Sequence, residues 1–366
     1  MSADLAAVAV TARAHADESE AGRRLAAPVV GALRDAGLFR LCLPGTLGGD
    51  QASPAHLVDA IAAVAAGDGA AGWCLMIGAT SGAVAAWLEP DAAREVHADA
   101  AVITGGVFAP VGQVAPDDGG IRLTGRWPWG SGSQHCDWLL LGCLVDGKHR
   151  LAYVPAADVE VVDTWWSMGL RGTGSHDLAV DGVVVPRERL AGITLPPTVE
   201  APLYEFPVFG LLAVGVAAVG LGIARAAVDE LVGVATTKVP SMTTRTLAER
   251  PGAQAAVAEA EALVRGARAL LDDAVGAAWD KALVGHAIPP AERAGLRLAA
   301  TAAARWSAEA VRTIHDVAGG TAVQERTSVL ARCFRDAHTV TQHFMVGPPT
   351  FEAIGRVLLG GEEPSL

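Results

Sequence analysis

The sequence predicts an α+β protein in three parts: a helical domain over residues 1–98, a small middle β domain or β-barrel over 99–192, and a C-terminal four-helix bundle over 193–366. Three observations carry this expectation. Apolar residues recur with the helical period at both ends of the chain. From Ala101 to Val185 the period changes to short apolar runs broken by Gly, Pro and Asp. A proline-rich connection with Pro196, Pro197, Pro202 and Pro207 then separates this middle part from a run of long helical patterns.

Taken in order, Thr11 to Ala36 is amphipathic, with Leu25, Val29, Val30 and Leu33 at helical spacing, and Gly37 ends it. Leu38 to Pro44 is a short, strand-like apolar link before the Gly-rich turn Gly45–Asp50. Ser53-Pro54 supplies an N-cap and first turn for a helix through Leu57, Ile61 and Val64. Ala70 to Trp87 is apolar almost all round and must be buried on most sides. Strand candidates follow at Val102–Thr104, Ile121–Gly125, Trp138–Gly142, Arg150–Val154, Val159–Val162 and Leu178–Val185. Phe209–Val234, Gln254–Ala278, Ala291–His315 and Ser328–Phe344 then read as long helices, with Thr350–Leu359 last, and pack as an antiparallel bundle.

Composition narrows the function classes. The chain has 366 residues, 51% of them hydrophobic, enough for a sizeable core. The apolar runs stop short of the ~20 uninterrupted residues of a spanning helix, and no basic region precedes an apolar one at the N-terminus. Five scattered cysteines without a CxxC favour neither a disulfide framework nor a zinc site, so the cytoplasm is the expected compartment. Net charge −12 argues against nucleic acid, whose phosphates demand a basic face. No metal site is expected: His338 and His343 are five positions apart, and His135, His149 and His176 have no ligand-spaced partners.

Two polar stretches stand out. Phe334 to Phe344 lies between apolar helical segments and places Asp336, Thr339, Val340 and His343 on one helix face. It is either a helix with ordinary hydrogen-bonded polar residues or part of a site. Trp127-Pro-Trp-Gly-Ser-Gly-Ser133 is the other. Together with Gly169 to Asp177, Val184-Val-Pro186, Asp316-Val-Ala-Gly-Gly320 and Arg335-Asp-Ala337, these motifs fall in an order that resembles the acyl-CoA dehydrogenase superfamily along nearly the whole chain.

That resemblance implies a flavin cofactor and places residues around it. Ser131 matches the position whose hydroxyl sits beside flavin N5, and Trp129 a wall of the ring, although Trp127 and Trp129 are equally consistent with β-domain packing. Arg245 falls where the family carries an Arg-x-x-Phe that reaches a neighbouring subunit's flavin, and Gly319 and Gly320 where it carries a flavin-contacting Gly-Gly. Ala248 replaces the Phe, which tilts the expectation towards reduced FMN, with FAD possible.

The departures decide the chemistry. The dehydrogenase carboxylate that removes an α-proton is replaced by Phe344, and the alternative base position falls near Gly210. His343 in its place resembles the flavin-dependent monooxygenase branch, which takes reduced flavin from a separate reductase and adds one atom of O2 to a substrate. The resemblance therefore implies an oxygenase, homotetrameric, hydroxylating an aromatic or similarly unsaturated small molecule. In it Ser131 supports the reacting flavin, and His343 either polarises the activated oxygen or accepts a phenolic proton. An acyl-CoA dehydrogenase or oxidase is the rival. A non-catalytic member that binds nucleic acid is a third class, and it would need a basic groove.

Overall fold

In the computed structural model, which describes residues 4–324 and 328–361, helices precede and follow one seven-stranded sheet. The first helices are α1 (Leu5–Ala14), α2 (Ala16–Gly22), α3 (Ala27–Asp35), α4 (Pro54–Gly67), α5 (Gly69–Ala83) and α6 (Pro90–Val96). The strands are β1 (Thr104–Asp117), β2 (Gly120–Gly130), β3 (Trp138–Val145), β4 (Lys148–Pro155), β5 (Glu160–Val162), β6 (His176–Pro186) and β7 (Leu190–Ala191). The chain then returns to helix in α7 (Pro202–Glu205), α8 (Val208–Ala235), α9 (Pro251–Leu283), α10 (Pro290–Ala318), α11 (Val329–Val340) and α12 (Pro349–Leu358).

Four sequence-based expectations change. The single helix expected from Thr11 to Ala36 is three, because the chain turns at His15 and again at Arg23, which caps α2 in the left-handed region at φ 49°. Leu38–Arg40 is a 3₁₀ turn and no strand. β1 runs 14 residues through Gly105, Gly106, Pro110, Gly112 and Pro116, a composition that argues for loop, and it pairs parallel to β3. A Cβ at Gly106 would lie 2.1 Å from the Leu140 carbonyl oxygen, so a side chain there would break the β1–β3 pairing. Finally, α11 ends at Val340, so His343 stands in the turn beyond the helix and shares no helix face with Thr339.

The strand order is β5-β6-β2-β1-β3-β4-β7, and the two halves fold towards each other about β1. Leu123 and Trp127 of β2 and Leu178 of β6 therefore meet Leu141 of β3 and Val154 of β4 in one apolar core. Trp127 is fully buried there and its indole N–H donates to the Gly142 carbonyl (2.8 Å), which makes it a structural residue of the sheet. A second and larger core joins α4, α5, α8, α9 and α10. Gly69–Trp87 and Val208–Ala235 each hold an 18-residue window apolar enough for a bilayer, but 94% and 89% of those windows are buried inside the protein. All five cysteines are free; Cys42, Cys74, Cys143 and Cys333 are buried and Cys136 partly so.

Candidate active site

Ser131 follows the end of β2 and is buried between the sheet and α5. Its hydroxyl is held from two sides: the Trp73 indole N–H of α5 donates to it (3.0 Å), and Ser175 Oγ lies 2.7 Å away. Ser175 in turn lies 2.6 Å from Thr173 Oγ1, whose hydroxyl donates to the Leu170 carbonyl (2.8 Å). The Thr173 carbonyl accepts from the Gly132 N–H (2.8 Å), stitching the two segments together.

The backbone here is strained in a concentrated way. Trp129 and Leu170 are non-glycine residues at φ 66° and 51°, and Gly132 and Gly174 lie at φ 70° and 53°. Leu170 is held in place from both sides. Its N–H donates to Asp336 of α11, and its carbonyl also accepts from Trp165 Nε1 (3.1 Å). The 166–171 segment passes tightly over α11, since a Cβ on Gly169 would sit 2.3 Å from the Arg335 carbonyl oxygen.

Asp336 belongs to a buried acidic pair with Asp68, the N-cap of α5, whose carboxylate accepts from the Ala71 N–H (3.1 Å). Burial pushes Asp68 up to about 6 and Asp336 up to about 7, and the neighbouring carboxylate adds to the rise at Asp336. Arg332 opposes both shifts and also bonds Asp17, while Arg335 bonds Glu20 of α2. The Arg335-Asp336-Ala337 motif thus anchors α11 to the N-terminal helices and to the loop that carries Ser175.

His343 meets the same neighbourhood through Trp73: the two rings stand edge to face with centroids 5.3 Å apart. Trp73 therefore touches both sequence-predicted catalytic residues, Ser131 and His343. His343 is half-buried, and burial, with Arg297 in support, lowers its imidazole to about 4. The Met345 N–H approaches Nδ1 at 3.4 Å, a weak bond that places the proton of the neutral ring on Nε2. Phe344 is exposed and Gly210 packs on Leu296, so neither base position of a dehydrogenase holds a carboxylate.

The five residues expected at the cofactor fall in two places. Trp129, with 70% of its surface exposed, stands beside Ser131. Arg245, Gly319 and Gly320 are all exposed, at the outlets of α8 and α10, and Lys238 joins them: its ammonium donates to the Ala318 carbonyl (2.7 Å) and its own carbonyl accepts from the Leu247 N–H (2.8 Å). The turn after Gly320 contributes Ala322 and Val323 to a cavity of about 550 Å³ whose other lining includes Trp166, Met168, Arg171 and Phe334. Among the described residues no cluster of His, Cys, Asp or Glu is arranged to hold a metal.

Trp73, Thr173 and Ser175 were not singled out by the sequence. One signal was present for Trp73: an indole in a helix otherwise built of small and apolar residues needs a buried acceptor for its N–H.

Comparison with known proteins identifies the family. The family model for the acyl-CoA dehydrogenase C-terminal domain matches residues 214–348. An indole-3-acetate monooxygenase of Pseudomonas putida is 35% identical over 356 residues, covering 95% of this chain and 90% of that protein. The crystal structure of 3-HSA hydroxylase from Rhodococcus sp. RHA1 superposes with a TM-score of 0.92 at 28% identity, covering 98% and 96% of the two chains. XiaF from Streptomyces sp., solved in complex with FADH2 and glycerol, gives 0.92 at 26% identity over 100% and 97%. The chain belongs to the flavin-dependent monooxygenases of the acyl-CoA dehydrogenase superfamily. It is an oxidoreductase that uses reduced flavin, and a monooxygenase rather than a dehydrogenase, in keeping with the missing carboxylate.

Proposed function

We propose that this chain is the oxygenase component of a cytoplasmic two-component system, supplied by a separate reductase, and that it hydroxylates an aromatic small molecule. The observation that carries the reading is the convergence of Ser131 and His343 on Trp73, with Phe344 and Gly210 at the two base positions of a dehydrogenase. The residues fit a flavin: Ser131 is a buried hydroxyl with capacity for one further hydrogen bond, and Trp129 is an exposed indole two positions before it. When bound, reduced flavin supplies the two electrons and activates O2, so that one oxygen atom enters the substrate and the other leaves as water.

The chain's own part is to position and to keep dry. Ser131 fixes the flavin at N5, held there by Trp73 and Ser175. His343 stays neutral at physiological pH and manages a proton at the substrate through Nε2. Arg245, Gly319 and Gly320 complete a flavin seat on a neighbouring subunit of a homotetramer, with the Arg245 guanidinium on a phosphate. An indole carrying a carboxylate is the first substrate to try, given the 35% identical relative named for indole-3-acetate.

The deciding experiment mixes the protein, photoreduced FMN or FAD and indole-3-acetate or a phenol with O2, and follows 18O2 into product. Incorporation of one labelled atom per product supports the reading. Bleaching of oxidised flavin by an acyl-CoA without added reductant would overturn it.

A further inference from the structure

The hydroxyl chain Ser131–Ser175–Thr173 ends on a backbone carbonyl, and a carbonyl oxygen only accepts. Thr173 Oγ1 lies 2.8 Å from the Leu170 oxygen, so a proton must stand between these two electronegative atoms, and only Thr173 has one to place there. With that proton committed, Ser175 must donate across the 2.6 Å gap to Thr173. Ser131 must then donate across the 2.7 Å gap to Ser175. The Trp73 indole, a donor only, takes one lone pair of Ser131 (3.0 Å). What Ser131 has left is a single lone pair. Ser131, Ser175 and Thr173 are 5%, 3% and 1% exposed, so water is not available to reset this order.

We propose that Thr173 and Ser175 are positioning residues that set Ser131 as an acceptor and thereby make the site prefer reduced over oxidised flavin. The inference rests on the placement of Ser131 beside N5 argued above, and it reverses the donor role that a lone serine suggests. Reduced flavin carries a hydrogen on N5 and donates it; oxidised flavin has only a lone pair there. To greet oxidised flavin, Ser131 must turn its proton to the ring, and the chain is then one proton short: one of the gaps Ser131–Ser175, Ser175–Thr173 or Thr173–Leu170 is left with no proton between its oxygens. The polarity of a buried chain, with no charged residue in it, thus distinguishes the flavin a reductase delivers from the flavin that must be returned.

The test measures dissociation constants for FMN, oxidised and photoreduced under argon, on the intact protein, with FAD in parallel. Ser175→Ala frees the Ser131 proton, and Thr173→Val frees the Ser175 proton to do the same. Each is expected to shrink the ratio of oxidised to reduced dissociation constants about tenfold, chiefly by tightening oxidised flavin, the size of one buried hydrogen bond. Shrinking the ratio tenfold corresponds to a fall of about 30 mV in the two-electron potential of the bound flavin. Thr173→Ser keeps the chain and should keep the parent ratio. Should Thr173→Val fail to fold, Ser175→Ala carries the test alone. A parent ratio in Ser175→Ala, with a changed ratio in Ser131→Ala, overturns the relay and leaves Ser131 beside N5. A parent ratio in Ser131→Ala as well removes Ser131 from the flavin, and the relay falls with it.

Discussion

The neighbourhood of Ser131 and that of Arg245, Gly319 and Gly320 are built on opposite plans. Around Ser131 the hydroxyls of Ser131, Ser175 and Thr173 and the Trp73 indole N–H are buried and partnered within the chain, and left-handed backbone at Leu170 is pinned by hydrogen bonds. Around Arg245 the residues are exposed, and a Cβ at Gly319 or Gly320 would meet nothing within 4 Å. The first is preorganised by folding alone, as a site that must orient a reacting group requires. The second is open to solvent in the single chain, and it is the family resemblance that proposes another subunit's flavin there.

Breaking the first neighbourhood should cost chemistry, and breaking the second should cost binding. The largest effect is expected from His343→Ala: hydroxylation falls by about 10²–10⁴, the usual range for a general acid–base group, while flavin affinity stays near normal in equilibrium titration. Single-turnover product formation at the parent rate would remove His343 from the mechanism. For the intact protein, the low imidazole pKa predicts that the rate falls as pH drops through about 4, with no break near 6.5. Between those values the unfolded chain binds the extra proton, so this group's contribution to stability is lost as pH falls from about 6.5 towards 4.

Next comes Ser131→Ala, which removes one group at a preorganised site and is expected to cost about 10²-fold in product formation, with hydrogen peroxide released instead. Oxygen uptake still coupled one-to-one to product would contradict it. Arg245→Ala should be milder and different in kind: flavin binds about tenfold more weakly, as for one charge-assisted contact, with coupling intact. Sedimentation with and without reduced flavin sharpens the contrast, because a seat shared between subunits links flavin binding to assembly. A monomer that binds reduced FMN tightly would separate the two neighbourhoods entirely.

The smallest effect concerns the acidic pair. Asp68 and Asp336 hold protons in the folded state above their ordinary range, so the fold loses stability as pH climbs from about 4 to about 7. Asp336→Asn keeps an acceptor for the Leu170 N–H without the charge. It should melt a few degrees above the parent at pH 8 and alongside it near pH 4, checked by thermal unfolding at both pH values. A lower melting point at pH 8 would show the ionised pair to be stabilising.

How much of this was legible in the sequence varied with the range of the interaction concerned. The long helices α8, α9 and α10 were visible because period, Pro and Gly punctuation and small-residue spacing are local. β1 was missed beyond its start because Gly106 and Gly112 are demanded by close neighbours on other strands and Gly105 by the Cys136 thiol, so composition there reflects tertiary approach. The three-way break before Ala36 was hidden because the apolar spacing continues across it. Ser131, Trp129 and His343 came to notice through family motifs, and the Trp73 link between them did not, since its partners lie 58 and 270 positions away. Hydrogen-bond direction at Ser131 depends on a carbonyl 39 residues further on, which no local pattern encodes.

The enclosed thiols have a consequence for durability. Any hydrogen peroxide formed when oxygen is consumed without product would attack cysteine through its thiolate form. Burial pushes Cys42, Cys136 and Cys333 up to about 12 and Cys143 up to about 11, and raises Cys74 well above its ordinary value, so all five remain protonated and poorly nucleophilic. The five thiols therefore offer peroxide little thiolate to attack.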